Sequence, residues 1–174
     1  MIRKKKLFIR PKKSYESIRI ESENEIKEKY GLKNKKEIWK TSAKVKYFRK
    51  RAMALAKSPL EEQEVLIKKL QNLGLKITSI ADVLDLKTED LLERRLVSVL
   101  YKKGLANSPK HARQLIVHKK VLIDGKATSS PSYLVSVSEE NTISIKEKNK
   151  TPKQKSTEKA VVNPSEIEKG VENA

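Results

Sequence analysis

Across residues 91–148 the apolar residues change their spacing, and that change limits what the chain can fold into. Leu91, Leu92, Leu96, Val99 and Leu100 recur at helical intervals. Thr88 is placed to cap this helix, Glu89 and Asp90 suit its positive end, and Gly104 suits a left-handed stop. A second helix is expected to open on Ser108, with Pro109 at its first position. Beyond it the period shortens to two. Residues 121–123, 133–137 and 142–145 read as short strands, with Asp124-Gly125 as a tight turn. The expected fold class is α+β: a mostly helical N-terminal part, then a small unit of two helices packed on a short antiparallel sheet.

The second helix carries an unusual face. Ala112, Leu115 and Ile116 make its buried side. Lys110, Arg113, Gln114 and the pair Val117/His118 recur on another side, three or four residues apart. Arginine presents a planar fork of donors and lysine a point charge, while glutamine and histidine add hydrogen bonds. That set matches phosphate oxygens and ribose hydroxyls. A solvated charged face explains the same residues, and on this helix alone the two readings stand level.

Charge argues for a polyanionic partner. The chain has 174 residues, 40 Lys and Arg against 22 Asp and Glu, and a net charge of +18. Nucleic acid is the first partner this implies, and an anionic membrane surface the second. Residues 1–57 hold 20 basic and 6 acidic side chains, so most of the field comes from the N-terminal third. The mean hydropathy of −0.65 leaves room for a modest core with extensions. No apolar run approaches the roughly 20 residues needed to span a bilayer. Leu7-Phe8-Ile9 is too short for a signal peptide. There is no cysteine, hence no disulfide and no thiolate metal site, which fits a cytoplasmic protein.

Four segments follow. Residues 1–33 are a basic arm and a short helix over 22–30; Arg3, Lys4, Lys5, Lys6, Arg10 and Lys12 are read as phosphate contacts. Residues 34–87 form a helical domain. Asn34 and Glu37 have capping-box spacing at the start of a helix reaching about Lys57. Lys40, Lys44, Arg49, Lys50 and Arg51 surround that helix, with Trp39 and Phe48 read as core. Ser58-Pro59 starts another helix, with Leu60, Leu66, Ile67, Leu70 and Leu73 on its apolar stripe. Ser79 and Asp82 start a short helix through Leu86. Residues 88–148 are the helix-and-strand unit. Residues 149–174 are expected to be a disordered tail whose removal leaves RNA affinity nearly unchanged.

Catalytic patterns are missing. The two histidines, His111 and His118, have no cysteine or carboxylate pair near them in the sequence. There is no phosphate-cradling glycine loop and no nucleophile elbow. The expectation is a protein without enzymatic activity, cofactor or metal.

The motifs ERRL at 93–96, GLA at 104–106, HARQLI at 111–116, DGK at 124–126 and PSYLV at 131–135 occur in order. Together they resemble the RNA-binding domain named after ribosomal protein S-four. RPKKSYE at 10–16, RIESENEIKEKYGLKNKKEIWK at 19–40 and LDLKTEDLLERRL at 84–96 extend the resemblance to residues 2–148. They are similar to the archaeal and eukaryotic branch of that family, whose eukaryotic relative is small-subunit protein S-nine.

The resemblance implies a structural component of the small ribosomal subunit, located in the cytoplasm within the ribosome. It implies binding to the 5′ domain of small-subunit ribosomal RNA early in assembly. It also implies a surface beside ribosomal protein S-five on the mRNA entry path, and an influence on translational accuracy. The zinc site of some bacterial members is not implied, because its cysteines are absent. Carried onto this chain, the RNA contacts fall on Arg94, Arg95, Lys102, Lys103, Lys110, Arg113, Gln114, His118, Lys119, Lys120, Lys126, Ser132 and Tyr133. The alternative is a free RNA-binding factor of ribosome assembly or rescue, sharing the domain but leaving the mature subunit.

Overall fold

The computed structural model describes residues 7–146. Arg3, Lys4, Lys5, Lys6 and the segment 149–174 lie outside the described residues. The element order is α1 (Ser17–Lys29), α2 (Lys35–Leu55), α3 (Leu60–Asn72), α4 (Ile80–Asp85), α5 (Thr88–Glu93), α6 (Leu96–Lys102) and α7 (Pro109–Val117). Then come β1 (Val121–Ile123), β2 (Lys126–Thr128), α8 (Val137–Glu140) and β3 (Ser144–Ile145). The strands form one antiparallel sheet in the order β2-β1-β3. The class is α+β, as the change of period predicts.

Three apolar clusters hold these elements, and α5 joins them. Leu91 belongs with Val45, Leu66, Leu70 and Val83, contributed by α2, α3 and α4. Its neighbour Leu92 belongs with Tyr30, Leu32 and Ile38, from the α1–α2 corner. Leu96, four residues on, opens the third cluster, in which Leu100, Ala112, Ile116, Val121 and Val135 knit α6 and α7 to the sheet. Leu91, Leu92 and Leu96 are each 1% exposed or less. Full burial of a leucine stabilises a fold by roughly 1.5–3 kcal/mol. The two-turn α5 is therefore a junction.

The helix expected to run from Thr88 to Gly104 is broken at Arg94–Arg95. Arg95 is extended, with φ −74° and ψ 146°. The backbone groups that the break releases are taken up by residues 133–135. Leu96 donates to the Tyr133 carbonyl at 2.9 Å, and Val135 donates to the Arg94 carbonyl at 3.0 Å. Arg95 and Leu134 form an isolated antiparallel bridge. The expected strand over 133–137 is thus confined to this bridge. Its end becomes α8, because Ser136 and Glu139 form a reciprocal capping box that outweighs two-residue alternation. The strand read over 142–145 shortens to Ser144–Ile145. β2 was not anticipated as a strand; it pairs with β1 across a turn in which Asp124 and Gly125 have φ of 49° and 75°.

Helix starts differ in detail. The cap of α5 is Lys87 rather than Thr88, and its backbone N–H donates to Asp90 at 2.7 Å. α3 begins one residue later than Ser58-Pro59 suggests, and Leu60, read as core, is 75% exposed. α1 begins at Ser17, five residues before the predicted start. The α4 capping box on Ser79 and Asp82 and the Ser108 cap of α7 form as expected.

Candidate nucleic-acid interface

The largest departure from the sequence reading concerns Glu37. Its spacing from Asn34 predicts a capping box, yet Asn34 makes no side-chain cap. The Glu37 carboxylate turns instead toward the helix-and-strand unit. Arg113 Nη2 donates to Glu37 Oε1 at 2.9 Å, and Arg95 Nη2 donates to Glu37 Oε2 at 2.5 Å. Arg95 also donates to the Ser132 hydroxyl at 3.1 Å. One carboxylate therefore ties α2 to the helix break and to α7. Burial alone works to raise its pKa. The hydrogen bonds from Arg113 and Arg95, with the attraction of their charges, outweigh that and hold it below the usual 4.5.

The basic side chains predicted to touch RNA fall into two groups. In the first, the polar end makes a hydrogen bond within the protein. Arg95, 4% exposed, and Arg113 serve Glu37. Arg94 donates to Glu140 at 2.9 Å and to the Val135 carbonyl at 3.2 Å. Its guanidinium packs against Gly74, where an added Cβ would come within 2.6 Å of Cζ. Arg49 donates to the Leu86 carbonyl, Lys102 to Glu93 and Lys103 to the Glu140 carbonyl. The Tyr133 hydroxyl donates to Glu139, which raises the tyrosine pKa and lowers that of the carboxylate.

In the second group the polar ends stand in solvent. Lys110, Gln114, His118 and Lys119 are exposed on and just past α7, and Lys126 is exposed on β2. Lys120 is half-buried between them. Gln114, His118 and Lys120, with His111 and Leu115, border a shallow cleft of about 310 Å³. Lys40, Lys44, Lys50 and Arg51 are exposed along α2, and Arg10 and Lys12 on the segment before α1. The chemistry of this group is that of phosphate and ribose contact, in which positioning comes from lysines, amides and imidazoles.

Two features important to this surface were missed in the sequence. Glu37 looked like a local cap because its partners are 58 and 76 residues away, and no short spacing announces them. The cleft between α2 and the 132–134 segment depends on the helix break, which also has no Gly or Pro to signal it. Among the described residues no cluster of three or more His, Cys, Asp or Glu could hold a metal ion. Among them, too, no helix is long and apolar enough to cross a membrane.

Comparison with known proteins agrees with this geometry. The family model described as the S4 domain matches residues 94–141, from the helix break to the end of α8. Small ribosomal subunit protein uS4 of Saccharolobus islandicus (strain L.S.2.15 / Lassen #1) is 45% identical over 132 residues, covering 72% of this chain and 73% of the relative. The protein of the same name from Korarchaeum cryptofilum is 42% identical over 144 residues, covering 80% and 87%. That from Methanocella arvoryzae is 38% identical over 153 residues, covering 80% and 75%. These matches run well beyond the S4 domain into the helical part, and the chain belongs to the family of small ribosomal subunit proteins uS4.

Proposed function

We propose that this protein is a structural component of the small ribosomal subunit that binds the 5′ domain of small-subunit ribosomal RNA early in assembly. It acts by binding and not by catalysis, in the cytoplasm, within the ribosome. The observation that carries the reading is the Glu37 clasp, which sets two exposed basic surfaces in one fixed arrangement. The first is α2, through Lys40, Lys44, Lys50 and Arg51; the second is α7 and its continuation, through Lys110, Gln114, His118, Lys119, Lys120 and Lys126. Arg10 and Lys12 extend the first surface, and Arg3, Lys4, Lys5 and Lys6 precede them in sequence. Arg94, Arg95 and Arg113 hold the frame. Arg49, Lys102, Lys103, Ser132 and Tyr133 flank it, each tied to a protein partner.

A surface fixed in this way can recognise the shape of folded RNA, where two loosely linked basic patches would read only charge. In the subunit the remaining faces meet ribosomal protein S-five and line the mRNA entry path, and through them the protein influences translational accuracy. Salt-washed small subunits provide the test. One copy per subunit after the wash is expected. Quantitative release into the wash, with activity only in immature particles, would instead identify a free assembly or rescue factor.

A further inference from the structure

Between α2 and the 132–134 segment lies a cleft of about 420 Å³. That volume is within the roughly 300–1,000 Å³ of small-ligand sites. Its lining has three kinds of chemistry. Leu134, Leu91 and Ala43 give an apolar wall, to which Leu7 of the segment before α1 adds its side chain. Thr41 and Ser132 bring hydroxyl groups. Lys40, Lys44 and Tyr47 follow one another up the same face of α2, at the rim. The two lysines are exposed, and among the described residues neither is paired with a carboxylate. Tyr47 is 59% exposed, and its ring meets that of Phe48 edge-on, with centroids 5.7 Å apart.

We propose that this cleft receives a single unstacked nucleotide of the bound RNA, with its base against Tyr47 and Leu134 and its phosphates on Lys40 and Lys44. The inference rests on the RNA-binding reading above and names one contact within it. Proteins read unpaired bases by stacking them on aromatic side chains beside a basic track, which is the combination found here. Glu37 also borders the cleft, but Arg95 and Arg113 neutralise it, so the rim stays positive. The Thr41 hydroxyl already donates to the Glu37 carbonyl, whereas Ser132 accepts from Arg95 and keeps its hydroxyl proton for a polar group, which a purely apolar side chain of a protein partner would leave unused.

The test uses the full chain bound to a transcript of the 5′ domain of small-subunit ribosomal RNA carrying 4-thiouridine. Irradiation followed by mass spectrometry maps the crosslinks. A crosslink at Tyr47 is expected. Tyr47→Ala should weaken binding to the transcript by about tenfold while leaving affinity for a fully paired duplex within about twofold. Tyr47→Phe, which keeps the ring, should bind as the unaltered protein does. Crosslinks confined to α7 and the β1–β2 hairpin, with Tyr47→Ala unchanged, would overturn the inference while the RNA-binding reading stands. Failure of the unaltered chain to bind the transcript would bring down the RNA-binding reading, and this inference with it.

Discussion

Arg113 on α7 donates a 2.9 Å hydrogen bond to Glu37 on α2 across 76 residues of chain. With Arg95 on the other carboxylate oxygen, the contact makes one body of two basic surfaces. The Glu37 side chain is 16% exposed and that of Arg95 5%. Removing the carboxylate leaves a buried guanidinium without its counter-charge.

Glu37→Gln should therefore lower unfolding free energy by about 3 kcal/mol, the scale of a broken buried ion pair. It should also weaken binding to ribosomal RNA, even though it raises the net charge by one unit. Urea denaturation and RNA titration of the same variant check both halves. An unchanged midpoint, or tighter RNA binding, would show that simple charge outweighs the clasp.

The same carboxylate predicts a pH dependence. Unfolded, Glu37 titrates near 4.5; folded, its pKa is lower. The unfolded state binds the proton more readily. The stabilisation is thus complete above 4.5 and is lost as pH falls through the folded value. Asp82, held at about 2 by the N–H and hydroxyl of Thr78 and the N–H of Ser79, adds a loss that extends from 3.8 down to about 2. Subtracting the stability profile of Glu37→Gln from that of the unaltered protein isolates the clasp. The difference should shrink on acidification below about pH 4.5. A difference that grows there would contradict the assignment.

Two glycines separate backbone conformation from packing. Gly104 has φ +70° with nothing near an added Cβ, so Gly104→Ala should cost about 1 kcal/mol from conformation alone. Gly31 has φ +60°, and an added Cβ would lie 2.8 Å from the Pro109 carbonyl carbon. Gly31→Ala must also push the start of α7 away, so its cost should be clearly larger. Equal losses in thermal unfolding would mean that the α1–α2 corner does not press on α7.

The two groups of cations should differ in RNA titrations. Lys110 is exposed with no carboxylate partner among the described residues. Lys110→Ala should reduce the slope of log affinity against log salt by about 1. Lys102 is held by Glu93 at 2.6 Å. Lys102→Ala should change the slope less. The reverse order would place the RNA on the α6 side of the unit.

How legible these features were depends on how far apart their causes lie in the chain. Ser108-Pro109, Ser79 with Asp82, and Asp124-Gly125 act within four residues, and each appears where its local chemistry puts it. The Arg94–Arg95 break does not, because it is held by carbonyls and N–H groups of residues 133–135, some forty positions away. Glu37 is the sharper case. A carboxylate three residues after Asn34 is a cap by local rules, and only the arrival of Arg95 and Arg113 makes it a clasp. Basic residues were read as one RNA-facing set because sequence shows charge without showing its partner. Arg94 and Lys110 look alike until Glu140 and the open face of α7 are in view.

The most direct test of the central claim is a salt titration of the purified full chain on a transcript of the 5′ domain of small-subunit ribosomal RNA, against an unrelated folded RNA of equal length. The account predicts a preference over the competitor that holds at every salt concentration, while the affinity itself falls steeply as salt rises because many phosphates are contacted. Equal and equally salt-sensitive affinity for the two RNAs would contradict it, leaving a basic protein whose fixed geometry selects nothing.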